Sequence, residues 1–310
     1  MRLLRLNDDS EFSLVEFVGK NIPGYAILSH TWGADHEEVT FKDLVDGTGK
    51  SKAGYKKIRF CGTQAASDGL QFFWVDTCCI NKSSSAELSE AINSMYSWYQ
   101  QAKICYAYLN DVPSTKMFSR SYLFDDNEYK AWKECFLNSK WWSRGWTLQE
   151  LIAPREVQFY SKHWGDLGTR HKHRYLIANH TGINEDILDK GYIGKASVAQ
   201  RMCWASKRKT TRVEDMAYCL MGIFELNMPL LYGEGDKAFI RLQEEIIKAS
   251  DDHSIFAWTS EVASQSAFRG LLAKSPSEFQ NCRNITAVYA GLGEPYSLTN
   301  RGLRVTLPVL

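Results

Sequence analysis

Apolar and polar positions along the first half of the chain predict strands and helices in turn. Residues 24–33, GYAILSHTWG, form an apolar run that ends in small and polar residues, which predicts a buried strand opening into a loop. From Lys52 to Leu70, Tyr55, Ile58, Cys61 and Ala65 recur at helical spacing, and Asp68-Gly69 closes the element. Residues 72–80, FFWVDTCCI, make a second strand-like run interrupted only by Asp76. A helix follows with Leu88, Ala91, Ile92, Met95, Tyr99 and Ala102 on one face. Ile104 to Leu109 predicts a third strand, ended by Asn110-Asp111, and Val157 to Tyr160 a short fourth strand on a sheet edge.

Strands that are apolar on both faces and alternate with helices predict an α/β fold, a mainly parallel sheet flanked by helices, over residues 1–165. Ligands of such sheets sit at the carboxyl ends of the strands. Ser29, His30, Trp32, Asp76 and Asn110 should therefore converge on one rim. Residues 113–130, with Ser114, Arg120, Asp125, Asp126 and Asn127, read as a polar loop, either lying over that rim or inserted at the surface. Beyond Trp164 a helical extension is expected at 166–250, with helix starts near Thr210–Asp215 and Tyr232–Asp236. Gly233-Glu234-Gly235 reads better as a turn than as a phosphate loop. Residues 251–310, including Ser254–Trp258, predict a small β-rich segment, and the apolar run at Leu310 implies that the chain continues.

The stretch from Ser143 to Pro154, SRGWTLQELIAP, predicts a short helix stopped by proline. Leu148, Leu151 and Ile152 share one side. Glu150 falls with Trp146 and Ser143 on the other, which periodicity alone assigns to solvent.

Composition narrows the function classes. Among 310 residues, 37 Lys and Arg nearly cancel 36 Asp and Glu, so no global field draws nucleic acid or an anionic membrane. No window has the pattern of a signal peptide or membrane span, which places the protein in the cytoplasm. The 8 cysteines lie mostly in apolar runs without metal-ligand spacing and read as reduced core residues, with no metal expected.

Three segments carry a resemblance. YAILSHTWG (25–33), WVDTCCINK (74–82) and RGWTLQEL (144–151) are similar, in order and spacing, to the signature blocks of the fungal heterokaryon-incompatibility (HET) domain, near the N-terminal regions of vegetative-incompatibility proteins. Segments from Thr211 to Phe224, Leu231 to Leu242, Ser254 to Trp258 and Ser297 to Leu303 resemble those that commonly follow it. The resemblance implies programmed cell death in non-self recognition, triggered by self-association. Neither a phosphate-binding G-x-x-x-x-G-K-[ST] loop nor a repeat is present, so a nucleotide-binding (STAND-type) or other signalling partner is expected in trans or on an extension. The HET domain is also likened to the flavodoxin-like TIR domain, many members of which hydrolyse NAD. Residues 143–151 resemble the TIR motif S-x-W-C-x-x-E-L, with Trp146 at the tryptophan, Thr147 in place of the cysteine, Glu150 at the catalytic carboxylate and Gly145 as an extra residue.

The chemistry suits a lone carboxylate. Cleaving nicotinamide from ribose develops oxocarbenium character, and nicotinamide leaves as a neutral base, so no general acid is needed. NAD or a related nucleotide is then substrate, and no cofactor is expected. Glu150 is the catalytic candidate; Ser29, His30, Trp32, Gly33, Asp76, Arg144 and Trp146 are the substrate-binding candidates. Each also has a plainer role open to it: Asp76 as a turn or N-cap residue, His30 as a satisfied core histidine, Arg144 as a partner for a nearby acid, Gly33 as a tight turn and the tryptophans as core. Two alternatives remain. One is a non-enzymatic adaptor acting through self-association; the other is a hydrolase using Cys79, which requires His30 within hydrogen-bond reach.

Overall fold

The computed structural model describes residues 1–7, 11–19, 21–113, 126–260, 270–287, 297–299 and 302–304. A seven-stranded mixed sheet forms its centre. Its strands are β1 (Arg2–Leu6), β2 (Phe12–Glu16), β3 (Tyr25–His30), β4 (Phe72–Trp74), β5 (Ile104–Tyr108), β6 (Val157–Tyr160) and β7 (Asp166–Thr169), in the order β2-β1-β4-β3-β5-β6-β7. The central strands β4, β3, β5 and β6 run parallel, and both edges are antiparallel. The parallel part has the doubly wound order in which the chain first steps from β3 to one side and then crosses to β5 on the other. Between β3 and β5 lies the switch point, where connections diverge and leave a crevice.

The helices of this half are α1 (Phe41–Val45), α2 (Tyr55–Ser67), α3 (Asp76–Cys79), α4 (Ser85–Gln101), α5 (Asp126–Leu137) and α6 (Thr147–Ile152). The face predicted for the first long helix is the one α2 buries, through Ile58, Cys61 and Ala65, and α4 buries Ala91, Ile92, Met95 and Tyr99. Caps set their starts: Thr40 and Asp43 form a capping box on α1, and the Ser84 side chain accepts the Glu87 N–H on α4. Farther on come α7 (Arg174–Thr181), α8 (Glu185–Lys190), α9 (Val198–Ala205), α10 (Asp215–Tyr218) and α11 (Lys237–Ala249), then a hairpin of β8 (Ser297–Thr299) and β9 (Gly302–Arg304). Among the described residues, no helix is long and apolar enough to cross a membrane.

Several expectations change. Val157–Tyr160 is not an edge, because β7 pairs antiparallel along it. The first residues, which carry no strong pattern, form the β1–β2 hairpin and dock on β4 through Leu4 and Arg5. The run from Phe72 to Ile80 is not one strand: it is extended only to Trp74, and Asp76 opens α3, where a carboxylate suits the first turn. Asp126 and Asn127, read as loop, begin α5, while residues 114–125 of that stretch lie outside the described residues. Ser254–Trp258, read as strand, is instead entered by a 3-10 turn at His253–Phe256; Leu310 and the apolar run before it also lie outside the described residues.

Candidate active site

The helix carrying Glu150 is buried all round. Every residue of α6 from Thr147 to Ile152 is buried, and Glu150 itself is 7% exposed. Its assignment to a solvent-facing side is therefore wrong, because at six residues α6 is short enough to be enclosed by its neighbours. Two buried arginines make that possible. Arg170 donates from Nη1 to the Leu151 carbonyl at 2.6 Å and from Nη2 to that of Arg155 at 2.9 Å, satisfying the carbonyls at the C-terminal end. Arg208 donates from Nη1 to the Arg144 carbonyl at 2.8 Å and to the Thr147 hydroxyl at 2.9 Å, fixing the start. Gly145 is needed where it stands: a Cβ there would lie 2.5 Å from Cγ2 of Thr210 and 3.0 Å from Sγ of Cys219.

Held this way, Glu150 bridges the switch point. The Ser29 hydroxyl at the end of β3 donates to its Oε2, and the Cys105 thiol of β5 lies 3.9 Å from its backbone carbonyl. Ser29 Oγ accepts the indole N–H of fully buried Trp141 at 2.8 Å, which orients the hydroxyl toward the carboxylate. Tyr99 donates to the Leu28 carbonyl at 3.0 Å, and its hydroxyl also faces Glu150. Burial pushes the Glu150 pKa up from 4.5 to about 7; Ser29 opposes the rise, the charge of Asp76 adds to it, and Arg144 and Tyr99 oppose it. A carboxyl poised near neutrality can be ionised or protonated at working pH.

A second group adjoins it on the same rim. Asp76 Oδ2 accepts the indole N–H of Trp32 at 2.8 Å, and its Oδ1 lies 3.8 Å from Nδ1 of His30. On the other side His30 Nε2 is 3.7 Å from Glu38, too far for a hydrogen bond but close enough for attraction to an imidazolium. Glu38 accepts the Gly33 N–H at 2.6 Å and is paired with Lys57. Burial of Glu38 would raise its pKa, but His30, Lys57 and the Gly33 amide outweigh this and hold it at about 2. Trp32 remains 42% exposed, with the Lys82 ammonium 3.6 Å from its ring centroid and the Arg144 guanidinium at 5.6 Å.

The structure thus gathers Ser29 with Glu150, and His30, Trp32, Gly33, Asp76 and Arg144 in contacts around them. Trp146 is engaged elsewhere, its side chain bonding to Asp215. Asn110 accepts the Thr31 hydroxyl at 3.3 Å on the same rim. Sequence reasoning gave no role at the site to Trp141, Tyr99, Glu38, Lys82 or Arg208; Tyr99 stood there only as part of an apolar helix face. No hydrogen bond joins His30 to Cys79; the Cys79 thiol takes the Val75 N–H at 3.4 Å, so the cysteine-hydrolase alternative lacks its required geometry. A groove of about 1150 Å³ lies elsewhere, along α4 between Gly19 and Pro229, and includes none of these residues.

Residues 25–150 match the family model of the heterokaryon incompatibility protein (HET), and residues 237–270 match a domain of unknown function (DUF8212). Over 250 residues, 80% of its length, the chain is 51% identical to vegetative incompatibility protein HET-E-1 of Podospora anserina. It spans only 18% of that relative. No solved structure matches.

Proposed function

Through residues 25–150 the chain belongs to the heterokaryon incompatibility family, and from that premise we propose that it acts in vegetative incompatibility as a cell-death effector that cleaves NAD at the nicotinamide–ribose bond when self-associated. The observation that carries the chemistry is Glu150, a buried carboxylate at the switch point with a pKa near 7 and an oriented hydroxyl on it.

In the proposed reaction the C1′–N bond breaks, its electron pair passes to the pyridinium nitrogen, and nicotinamide leaves neutral. Ionised Glu150 stabilises the oxocarbenium that develops and hydrogen-bonds the ribose hydroxyls. Water adds to C1′ and releases one proton. Trp32 offers an exposed aromatic face and Arg144 a guanidinium for the pyrophosphate. Asp76 steadies Trp32 through the indole N–H.

The test is nicotinamide release from NAD by the purified chain, free and artificially clustered, for wild type and Glu150→Ala. Release only from clustered wild type is expected. Silence of clustered wild type would favour an adaptor, and release surviving in Glu150→Ala would remove Glu150 from the chemistry.

A further inference from the structure

A separate pocket of about 310 Å³, at the small end of the range that holds ligands, shares no lining residue with the NAD site proposed above. Arg208 lines it together with Lys209 and Lys274, and Asp236 is the one carboxylate among the lining residues. Arg208 is buried, 6% exposed, whereas Lys209, Lys274 and Asp236 are exposed. A buried cation is costly unless it is paired. Yet among the described residues no carboxylate lies within ion-pair distance of Arg208, Lys209 or Lys274.

The hydrogen bonds of Arg208 use only part of its fork. Nε donates to the Trp204 carbonyl and Nη1 to Arg144 and Thr147, leaving Nη2 with no acceptor among the described residues. Hydroxyls of Thr210 and Ser275 stand in the same lining, and Phe239 with Val213 gives it an apolar wall. We propose that this pocket binds a phosphate monoester bearing a compact aromatic or apolar moiety. A dianionic phosphate matches a planar guanidinium flanked by two ammonium groups better than a monoanionic carboxylate does. The apolar wall takes the organic part. Burial also holds the Arg208 pKa down at about 10, a cost that a bound anion relieves. Because the same guanidinium secures the start of α6, occupancy of the pocket bears on the helix that carries Glu150.

Calorimetric titration of the whole chain at fixed ionic strength, with AMP and separately with inorganic phosphate, tests this. AMP should bind this pocket more tightly than phosphate does. The double variant Lys209→Glu with Lys274→Glu, both positions exposed, should melt as wild type does and bind AMP about tenfold more weakly or worse. Trp32→Ala should leave AMP affinity unchanged, which separates this pocket from the proposed NAD site. The proposal is overturned if neither probe binds at about 1 mM, if AMP affinity survives the double charge reversal, or if it is lost in Trp32→Ala. Phosphate binding as tightly as AMP would remove the organic moiety from it.

Discussion

Replacing Glu150 by Gln separates the burial of this group from its chemistry. The carboxyl holds its proton more tightly in the folded chain, with a pKa of about 7 against an ordinary 4.5. The native state therefore binds more protons than the unfolded state between those values, and stability from this group falls as pH rises through that window. At about 1.4 kcal/mol per tenfold change in proton affinity, the raised pKa costs the fold about 3 kcal/mol at pH 8, where Glu150 is ionised in both states, and about 1 kcal/mol at pH 5, where only the unfolded chain ionises it. Glutamine is nearly the same size, can still accept from Ser29, and carries no charge. Urea unfolding of wild type and Glu150→Gln at pH 5 and pH 8 measures the difference directly. The variant should gain about 2 kcal/mol more over wild type at pH 8 than at pH 5, while releasing no nicotinamide. Other titrating groups are common to both proteins and cancel. An advantage equal at the two pH values, or a variant less stable at pH 8, would refute the claim that Glu150 is a carboxylate held ionised at a cost.

Asp76→Asn removes a neighbouring charge that raises the Glu150 pKa, so the rising limb of the pH–activity profile should move to lower pH, and an unmoved limb would show that the two do not interact. Because the Trp32 indole loses an ionised acceptor in the same variant, KM for NAD should rise as well. Gly222→Ala should destabilise the chain by about 3 kcal/mol or more in thermal or urea unfolding, since a Cβ there would lie 2.1 Å from Cβ of Tyr96 on α4. A near-neutral result would mean that α4 and the 3-10 turn Met221–Phe224 can part without cost.

The sequence alone determined the parallel centre of the fold. Continuous apolar runs at Tyr25–His30 and Ile104–Tyr108, separated by helical periodicity in α2 and α4, can be satisfied only by strands covered on both faces. It also determined that Asn110 follows a strand end, because Asn110-Asp111 closes that run. Tertiary structure decided the edges: β1, β2 and β7 are short and weakly patterned, and only pairing partners make them strands. It decided the character of Glu150 as well. A six-residue helix has no periodicity long enough to reveal burial on every side, and Arg170 and Arg208, which satisfy its ends, come from 18 or more residues away in sequence. Charge in the chain looked balanced and solvated because one-dimensional pattern does not show which cations are enclosed. Folding encloses Arg208 with no carboxylate within ion-pair distance among the described residues and leaves Glu150 with a pKa of about 7, so the two groups with the most distinctive chemistry acquire it from their surroundings.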